Sequence, residues 1–152
     1  MNLDEKIISA LKDLNYEEAT EIQKKAIPIA LKKRDILAAA QSGTGKTAAF
    51  LLPILTELLA NKQVDKPILR ALILVPTREL ATQISKAVSD FSKYMEVESL
   101  AMVGGVSTKD QEKKIAKGID ILVATSGRLM EHLKNRTVDL SSVTTVVIDE
   151  VD

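Results

Sequence analysis

Apolar residues along the chain follow two rhythms. Ile7, Ile8, Leu11 and Leu14 have helical spacing, and a second helix is predicted to open at Thr20, to carry Ile22, Ala26 and Ile29, and to kink at Pro28. Short apolar runs then recur at Ile36–Ala39, Ala71–Val75, Ser99–Val103, Ile119–Ala124 and Val143–Ile148, and each predicts a strand. The last, VTTVVI, is β-branched and almost wholly apolar, which suits a strand buried on both faces. Helical stretches are expected after residue 47, after Thr77, after Ser107 and after Ser126. Strand–helix alternation with nearly continuous apolar strands predicts an α/β fold, a parallel β-sheet with helices on both faces. Residues Ala60 to Lys66 form the clearest loop, and no internal repeat is visible.

Composition bounds this picture without sharpening it. A chain of 152 residues suits one domain with a real core. With 21 basic and 21 acidic side chains, charge alone points to no nucleic acid. The lack of cysteine excludes disulfides and thiolate metal sites and fits a reducing, cytoplasmic setting. The N-terminus is acidic and amphipathic rather than a secretory signal. Pro53 and Glu57 interrupt the longest apolar run, so no membrane span is expected. Without export, the acceptor-like Asn135-Arg-Thr137 would stay unmodified.

Candidate chemistry begins at Ala40-Gln41-Ser42-Gly43-Thr44-Gly45-Lys46-Thr47, between an apolar run and a helical one. The pattern G-x-x-x-x-G-K-[ST], with Ala40 in place of its first glycine, surrounds a triphosphate with backbone N–H groups. Gly43 and Gly45 supply backbone freedom, Lys46 a point charge on the β/γ-phosphates, and Thr47 a hydroxyl for Mg²⁺. The same residues fit the dinucleotide pattern G-x-G-x-x-[GA], but the second strand ends in Pro76-Thr77 without the acid that a ribose would need. A second polar group, Asp149-Glu150, follows the last strand at the end where open α/β sheets bind ligands. Asp149 can hold Mg²⁺ through water, and Glu150 can orient or deprotonate an attacking water. An isolated Asp-Glu after a strand is usually a solvated turn; the phosphate loop upstream reverses that expectation.

Taken in order, these motifs resemble the N-terminal RecA-like domain of the DEAD-box ATP-dependent RNA helicases, in helicase superfamily 2. Tyr16–Gln23 resembles the adenine-reading Q motif, and residues 40–47 resemble motif I. Pro76-Thr-Arg-Glu-Leu-Ala81 matches motif Ia, while Gly104-Gly105 and Thr125-Ser-Gly-Arg128 match the next RNA-contacting motifs. Asp149-Glu-Val-Asp152 stands in the place of motif II. The chain departs from the family at Asn15 (usually glycine), Ala19 and Ser126 (usually proline) and Val151 (usually alanine). Over residues 1–152 the resemblance implies a partial first RecA-like domain, with a Q motif at about 15–23. It places an upstream adenine-holding aromatic, motif III and a second RecA-like domain outside the chain.

Function and site residues follow from the resemblance as expectations. Tyr16 and Gln23 would select adenine of ATP, residues 40–47 would bind its phosphates, and Thr47 and Asp149 would hold Mg²⁺. Lys46, Asp149 and Glu150 would be catalytic, and Asp152 would couple the site to motif III. Thr77, Arg78, Gly105, Thr125 and Arg128 would grip the backbone of single-stranded or duplex RNA without reading bases. ATP hydrolysis would then drive RNA unwinding in the full-length protein, with arginine fingers from the second domain. Residues 1–152 alone would bind ATP and RNA without unwinding and would tend to self-associate. A purely non-enzymatic binding module and a DNA helicase are the alternatives, the latter disfavoured by the Q motif and PTRELA.

Several of these residues carry a second, structural reading. Thr20 and Gln23 fit a capping box, Tyr16 could pack against the first helix, and Thr77 could be an N-cap with Arg78 paired to Glu79. Lys109–Lys117 reads as a solvated helix face, His132 as a surface residue, and Met102 and Met130 as core.

Overall fold

The computed structural model describes residues 3–41, 43–61 and 65–150. Two compact units emerge, Met1–Lys62 with Ala87–Glu96, and Gln63–Lys86 with Val97–Asp152.

Helices build the first unit. Helix α1 (Glu5–Asp13) starts where the Asp4 carboxylate accepts from the Lys6 N–H at 2.9 Å, and it buries Ile7 and Ala10. It closes at Asn15, which adopts φ 61° while the Asn15 and Tyr16 N–H groups donate to the Lys12 and Leu11 carbonyls. That is a Schellman closure, and asparagine tolerates its left-handed position better than most residues, which accounts for Asn15 where a glycine was expected. Helix α2 (Glu21–Leu31) continues through Pro28 and closes the same way with Lys33 at φ 60°. Helix α3 (Lys46–Ala60) buries Ala48, Ala49, Leu51, Leu52, Ile54, Leu55 and Leu58, and packs against both α1 and α2.

Beyond α1, the first unit is secured by a surface ion pair. Lys93 Nζ lies 2.8 Å from Asp13 Oδ2, and the Tyr94 hydroxyl donates to the same oxygen. The Lys93 and Tyr94 hydrogen bonds hold the Asp13 carboxyl below its ordinary 3.8, and Asp13 in turn raises Lys93 above 10.5. A depressed acid stabilises above its unfolded pKa, and a raised base stabilises below its own. The pair's contribution should therefore be complete between pH 3.8 and 10.5 and fade outside that window. Asp13→Asn should lower the unfolding midpoint slightly and by a constant amount across neutral pH, with the gap from the parent closing in acid. A gap that widens below pH 3.8 in urea titrations would contradict this.

The second unit holds a four-stranded parallel sheet, β1 (Ala71–Val75), β2 (Ser99–Met102), β3 (Ile121–Thr125) and β4 (Thr145–Ile148), in the order β2-β3-β1-β4. Helix α4 (Arg78–Phe91) leaves β1, α5 (Thr108–Lys117) leaves β2, and α6 (Ser126–Lys134) leaves β3. One sheet face carries Leu72, Leu100, Met102, Leu122 and Ala124, packed with Leu129 of α6 and Val138. On the opposite face Ile73, Val75, Ile121 and Val123 are also buried. This α/β architecture agrees with the sequence, and Met102 is core.

Four expectations fail. Ile36–Ala39 forms no strand, and Leu37 is fully exposed, because a strand exists only through its ladder and no described strand pairs with this alanine-rich run. β4 is not buried on both faces; among the described strands it bonds to β1 alone, and Val146 and Ile148 are 55% and 61% exposed. Met130 lies on the outward side of α6 and is exposed. His132, expected at the surface, is 1% exposed, because it follows Leu129 by three positions and shares the buried stripe of α6.

Candidate functional site

In the first unit, the phosphate-loop residues Gly43, at φ 80°, and Gly45, at φ 84°, take the left-handed conformation that glycine adopts without strain. Gly45 is the N-cap of α3, so Lys46 and Thr47 are its first helical residues and both are partly buried. The N–H groups in the first turn of a helix, together with its dipole, favour an anion. Thr44 Oγ1 donates to the Gln41 carbonyl at 2.6 Å, closing the loop on itself, and Ala40 is half-buried at its start. Ser42 lies outside the described residues.

Gln23 joins this loop to the preceding helix. Its Oε1 accepts from the Thr20 N–H at 3.0 Å, as in a capping box, and its Nε2 donates to the Gly45 carbonyl at 3.1 Å. The structural reading of Gln23 is thus correct, and it still leaves the amide one N–H and one lone pair. Gln23 also lines a cleft of about 470 Å³ with Ile8, Leu11, Tyr16, Ala19 and Leu52. Tyr16 is 50% exposed and meets Phe91 edge-to-face at 5.8 Å, so it packs on one side and presents its other to solvent.

A methyl group on Gly45 would collide with the Gln23 amide and come within 2.8 Å of Thr20 Oγ1, whereas one on Gly43 would meet nothing within 4 Å. Both alanine variants carry the backbone strain; only Gly45→Ala adds the collision. Gly45→Ala should therefore destabilise by about 1–3 kcal/mol more than Gly43→Ala in urea unfolding. Equal losses would show that the Gln23–Gly45 contact is not tight.

In the second unit, parallel strands bring the remaining candidates to one sheet edge, the C-terminal one. Thr77 Oγ1 accepts from the Leu80 N–H at 3.2 Å and caps α4, again as the structural reading had it. Arg78 opens that helix and reaches the turn after β2, where a Cβ on Gly105 (φ 84°) would stand 2.5 Å from its Nη1. Thr125 ends β3 and precedes α6, which begins at Ser126 despite the missing proline. Arg128 does not project outward. Its Nη1 donates to the Val106 carbonyl at 2.7 Å, its Nε lies 3.1 Å from Glu131, and its side chain is 15% exposed. Arg128 therefore holds the glycine turn.

Asp149 follows β4 at the same edge and is 6% exposed, with its N–H donating to the Leu74 carbonyl at 3.0 Å. Glu150 is exposed, sits at φ 55°, and donates its N–H to Asp149 Oδ1 at 3.0 Å. A left-handed glutamate is a strained placement of the kind that gathers at functional sites. Val151 and Asp152 lie outside the described residues. Among the described residues no three acidic or histidine side chains gather as a metal cage. Mg²⁺ that is shared with phosphates does not need one; Thr47 in the first unit carries a hydroxyl and Asp149 in the second a carboxylate, each a hard oxygen donor of the kind Mg²⁺ accepts.

Sequence reasoning missed Gln111, buried on α5 at 1% exposure, and the His132 to which it bonds. Their only signal is position on the inward stripe of a helix, where a polar residue needs a partner. It also missed the buried Arg70–Asp120 pair at 3.1 Å, whose Asp120 Oδ2 accepts from the Glu98 N–H at 3.0 Å and ties β1, β2 and β3 together at their starts. No described helix is long and apolar enough to cross a membrane.

Comparison with known proteins bears on this arrangement. Residues 20–152 match the family model described as DEAD/DEAH box helicase. The chain is 44% identical over 153 residues to the ATP-dependent RNA helicase DeaD of Escherichia coli K12, covering all of this chain and 24% of that protein. It is 46% identical over 147 residues to the DeaD protein of Buchnera aphidicola, covering 96% of this chain and again 24% of the relative. The crystal structure of a hypothetical ATP-dependent RNA helicase from Sulfolobus tokodaii superposes with a TM-score of 0.85 at 35% identity, over 96% of this chain and 41% of that one. The chain spans about a quarter of the length of these curated relatives. Motifs, fold and relatives agree: the chain belongs to the DEAD/DEAH box helicase family.

Proposed function

We propose that residues 1–152 are a first RecA-like domain that binds ATP with Mg²⁺ and grips RNA, and that the full-length protein hydrolyses ATP to remodel RNA. One observation carries the nucleotide reading: Gln23 hydrogen-bonds the phosphate loop at Gly45 while lining a cleft of adenine-accommodating size. Adenine is selected there by the free donor and acceptor of Gln23, with Tyr16 alongside. The loop of residues 40–47 cradles the phosphates, and Lys46 neutralises them. Thr47 and Asp149 would hold Mg²⁺, which supplies charge neutralisation on the phosphates when bound. Glu150 orients the attacking water and takes its proton. Asp152 couples this chemistry to motif III, and a second RecA-like domain provides arginine fingers.

RNA is held along the sheet edge that bears Thr77, Arg78, Gly105, Thr125 and Arg128. Exposed N–H groups at the start of α4, together with the Arg78 guanidinium beside a glycine turn, suit phosphate oxygens and sugar rather than bases. Arg128 contributes by holding that turn. The lack of cysteine supports a cytoplasmic setting. The exposed Val146 and Ile148 support self-association of residues 1–152 on their own.

Gln23→Ala in the full-length protein tests the base-selective step. It should lower kcat/KM for ATP about tenfold, the value of one or two hydrogen bonds, while leaving GTP use low. Unchanged ATP kinetics would reduce Gln23 to a capping residue.

A further inference from the structure

Both ends of the Gly104–Gly105 turn are tied to side chains of the neighbouring helices. Gln111 Nε2 donates to the Val103 carbonyl at 3.1 Å on one side, and Arg128 Nη1 donates to the Val106 carbonyl at 2.7 Å on the other. Arg128 Nη1 also reaches Gln111 Oε1 at 3.3 Å, so the two clamps share an atom. His132 Nε2 lies 2.8 Å from the same Oε1, and its Nδ1 lies 2.6 Å from Thr137 Oγ1. The Thr137 N–H donates to the His132 carbonyl at 3.0 Å in the closure of α6, where Arg136 takes φ 55°, and the Thr137 hydroxyl stands within reach of both that carbonyl and Nδ1.

Hydrogen-bond chemistry fixes the direction of this chain. The Val103 carbonyl only accepts, so the Gln111 NH₂ must face it and Oε1 must face inward. Arg128 only donates, so Oε1 accepts from both Arg128 and His132, and the histidine proton sits on Nε2. Gln111 and His132 are each 1% exposed, where an unmatched polar group is expensive, so the Gln111 amide has one low-energy orientation. That orientation decides where the exposed Gly105 stands against Arg78.

We propose that Gln111 and His132 are positioning residues for RNA binding: through Val103 and Arg128 they hold the Gly104–Gly105 turn in the conformation that receives the sugar–phosphate backbone. This rests on the reading of the Arg78–Gly105 edge as the RNA grip. Neither residue touches RNA; each acts through the turn. His132 acts by holding Gln111 Oε1, and any side chain with an N–H at the Nε2 position should serve.

The test is RNA and nucleotide affinity of full-length variants, measured with a single-stranded oligonucleotide and with ADP. Gln111→Met keeps the volume and removes all three side-chain hydrogen bonds. It should weaken RNA binding about tenfold, as expected for lost hydrogen bonds that include a charged partner, and leave ADP affinity within about twofold. His132→Phe should act in the same direction, and His132→Gln, whose amide places an N–H near the Nε2 position, should restore RNA binding. That pair asks the same question should Gln111→Met not fold. Arg78→Ala is the control for the grip itself. If Arg78→Ala weakens RNA binding and the Gln111 and His132 variants do not, the positioning role is wrong. Equal loss of RNA and ADP affinity in Gln111→Met would mean a general structural role and would also overturn it. If Arg78→Ala is silent, the RNA reading of this edge falls, and the positioning role falls with it.

Discussion

Glu150→Gln is expected to leave the full-length protein able to bind ATP while slowing hydrolysis about 10²–10⁴-fold, the range for loss of a general base. Glutamine keeps the size and reach of the side chain but cannot accept a proton from water. The backbone at this position is already constrained, since the Glu150 N–H bonds Asp149 Oδ1 at 3.0 Å and φ is 55°. That constraint does not depend on the carboxylate, so the variant should hold the same conformation. Single-turnover hydrolysis beside an ATP titration separates the two effects. Hydrolysis at the parent rate would mean that another group activates the water, and weakened ATP binding with unchanged chemistry would place Glu150 in binding instead.

Lys46→Ala should fail earlier, at binding. Lys46 is the first residue of α3, immediately after the left-handed Gly45, so its charge belongs to the same helix end as the N–H groups that meet an anion. Removing one charge-assisted contact of about 1.5–3 kcal/mol should raise the Kd for ATP roughly tenfold to a hundredfold. Alanine has the higher helix propensity and the side chain is only partly buried, so the unfolding midpoint should change little. Calorimetric titration would settle it: an unaltered ATP affinity would remove the phosphate role from Lys46. A large drop in stability would mean that any lost affinity reports unfolding rather than charge.

Much of the architecture could be read from the chain because its central strands are unambiguous. ALILV at β1 and ILVAT at β3 are apolar throughout, and a run of that length buried on both faces has few other solutions. The helix start at Thr20 was legible from its capping box with Gln23, and a helix was expected after Ser107; the structure places a helix after each. Helix ends were less so. Three helices close through left-handed residues that are not glycine, Asn15, Lys33 and Arg136, and lysine or arginine gives no advance sign of that conformation.

Where the sequence misled, tertiary context overrode a local pattern. Ile36–Ala39 has strand-like hydropathy but no described partner, and an unpaired ladder leaves nothing to define a strand. His132 looked polar among Glu131 and Lys134, yet three-residue spacing from Leu129 turns it inward, where Gln111 and Thr137 satisfy both ring nitrogens. Met130, one residue further along than Leu129, turns outward for the same geometric reason.

The candidate site was legible in its residue types more than in its contacts. Gln23 had been open to a capping and a nucleotide reading, and the geometry accommodates both, because one end of the amide caps α2 while the other reaches Gly45. Arg128 was expected at the RNA surface, and instead its guanidinium is spent on Val106, Gln111 and Glu131. No spacing rule could reveal that, since the three partners come from a turn, a neighbouring helix and its own helix.

The most direct test of the account is steady-state phosphate release from ATP, with and without single-stranded RNA, by the full-length protein and by residues 1–152. The account predicts RNA-stimulated release by the full-length protein and none by residues 1–152, whose transition-state support would be incomplete without a second RecA-like domain. RNA-stimulated turnover by residues 1–152 alone, or a full-length ATPase indifferent to RNA, would contradict it.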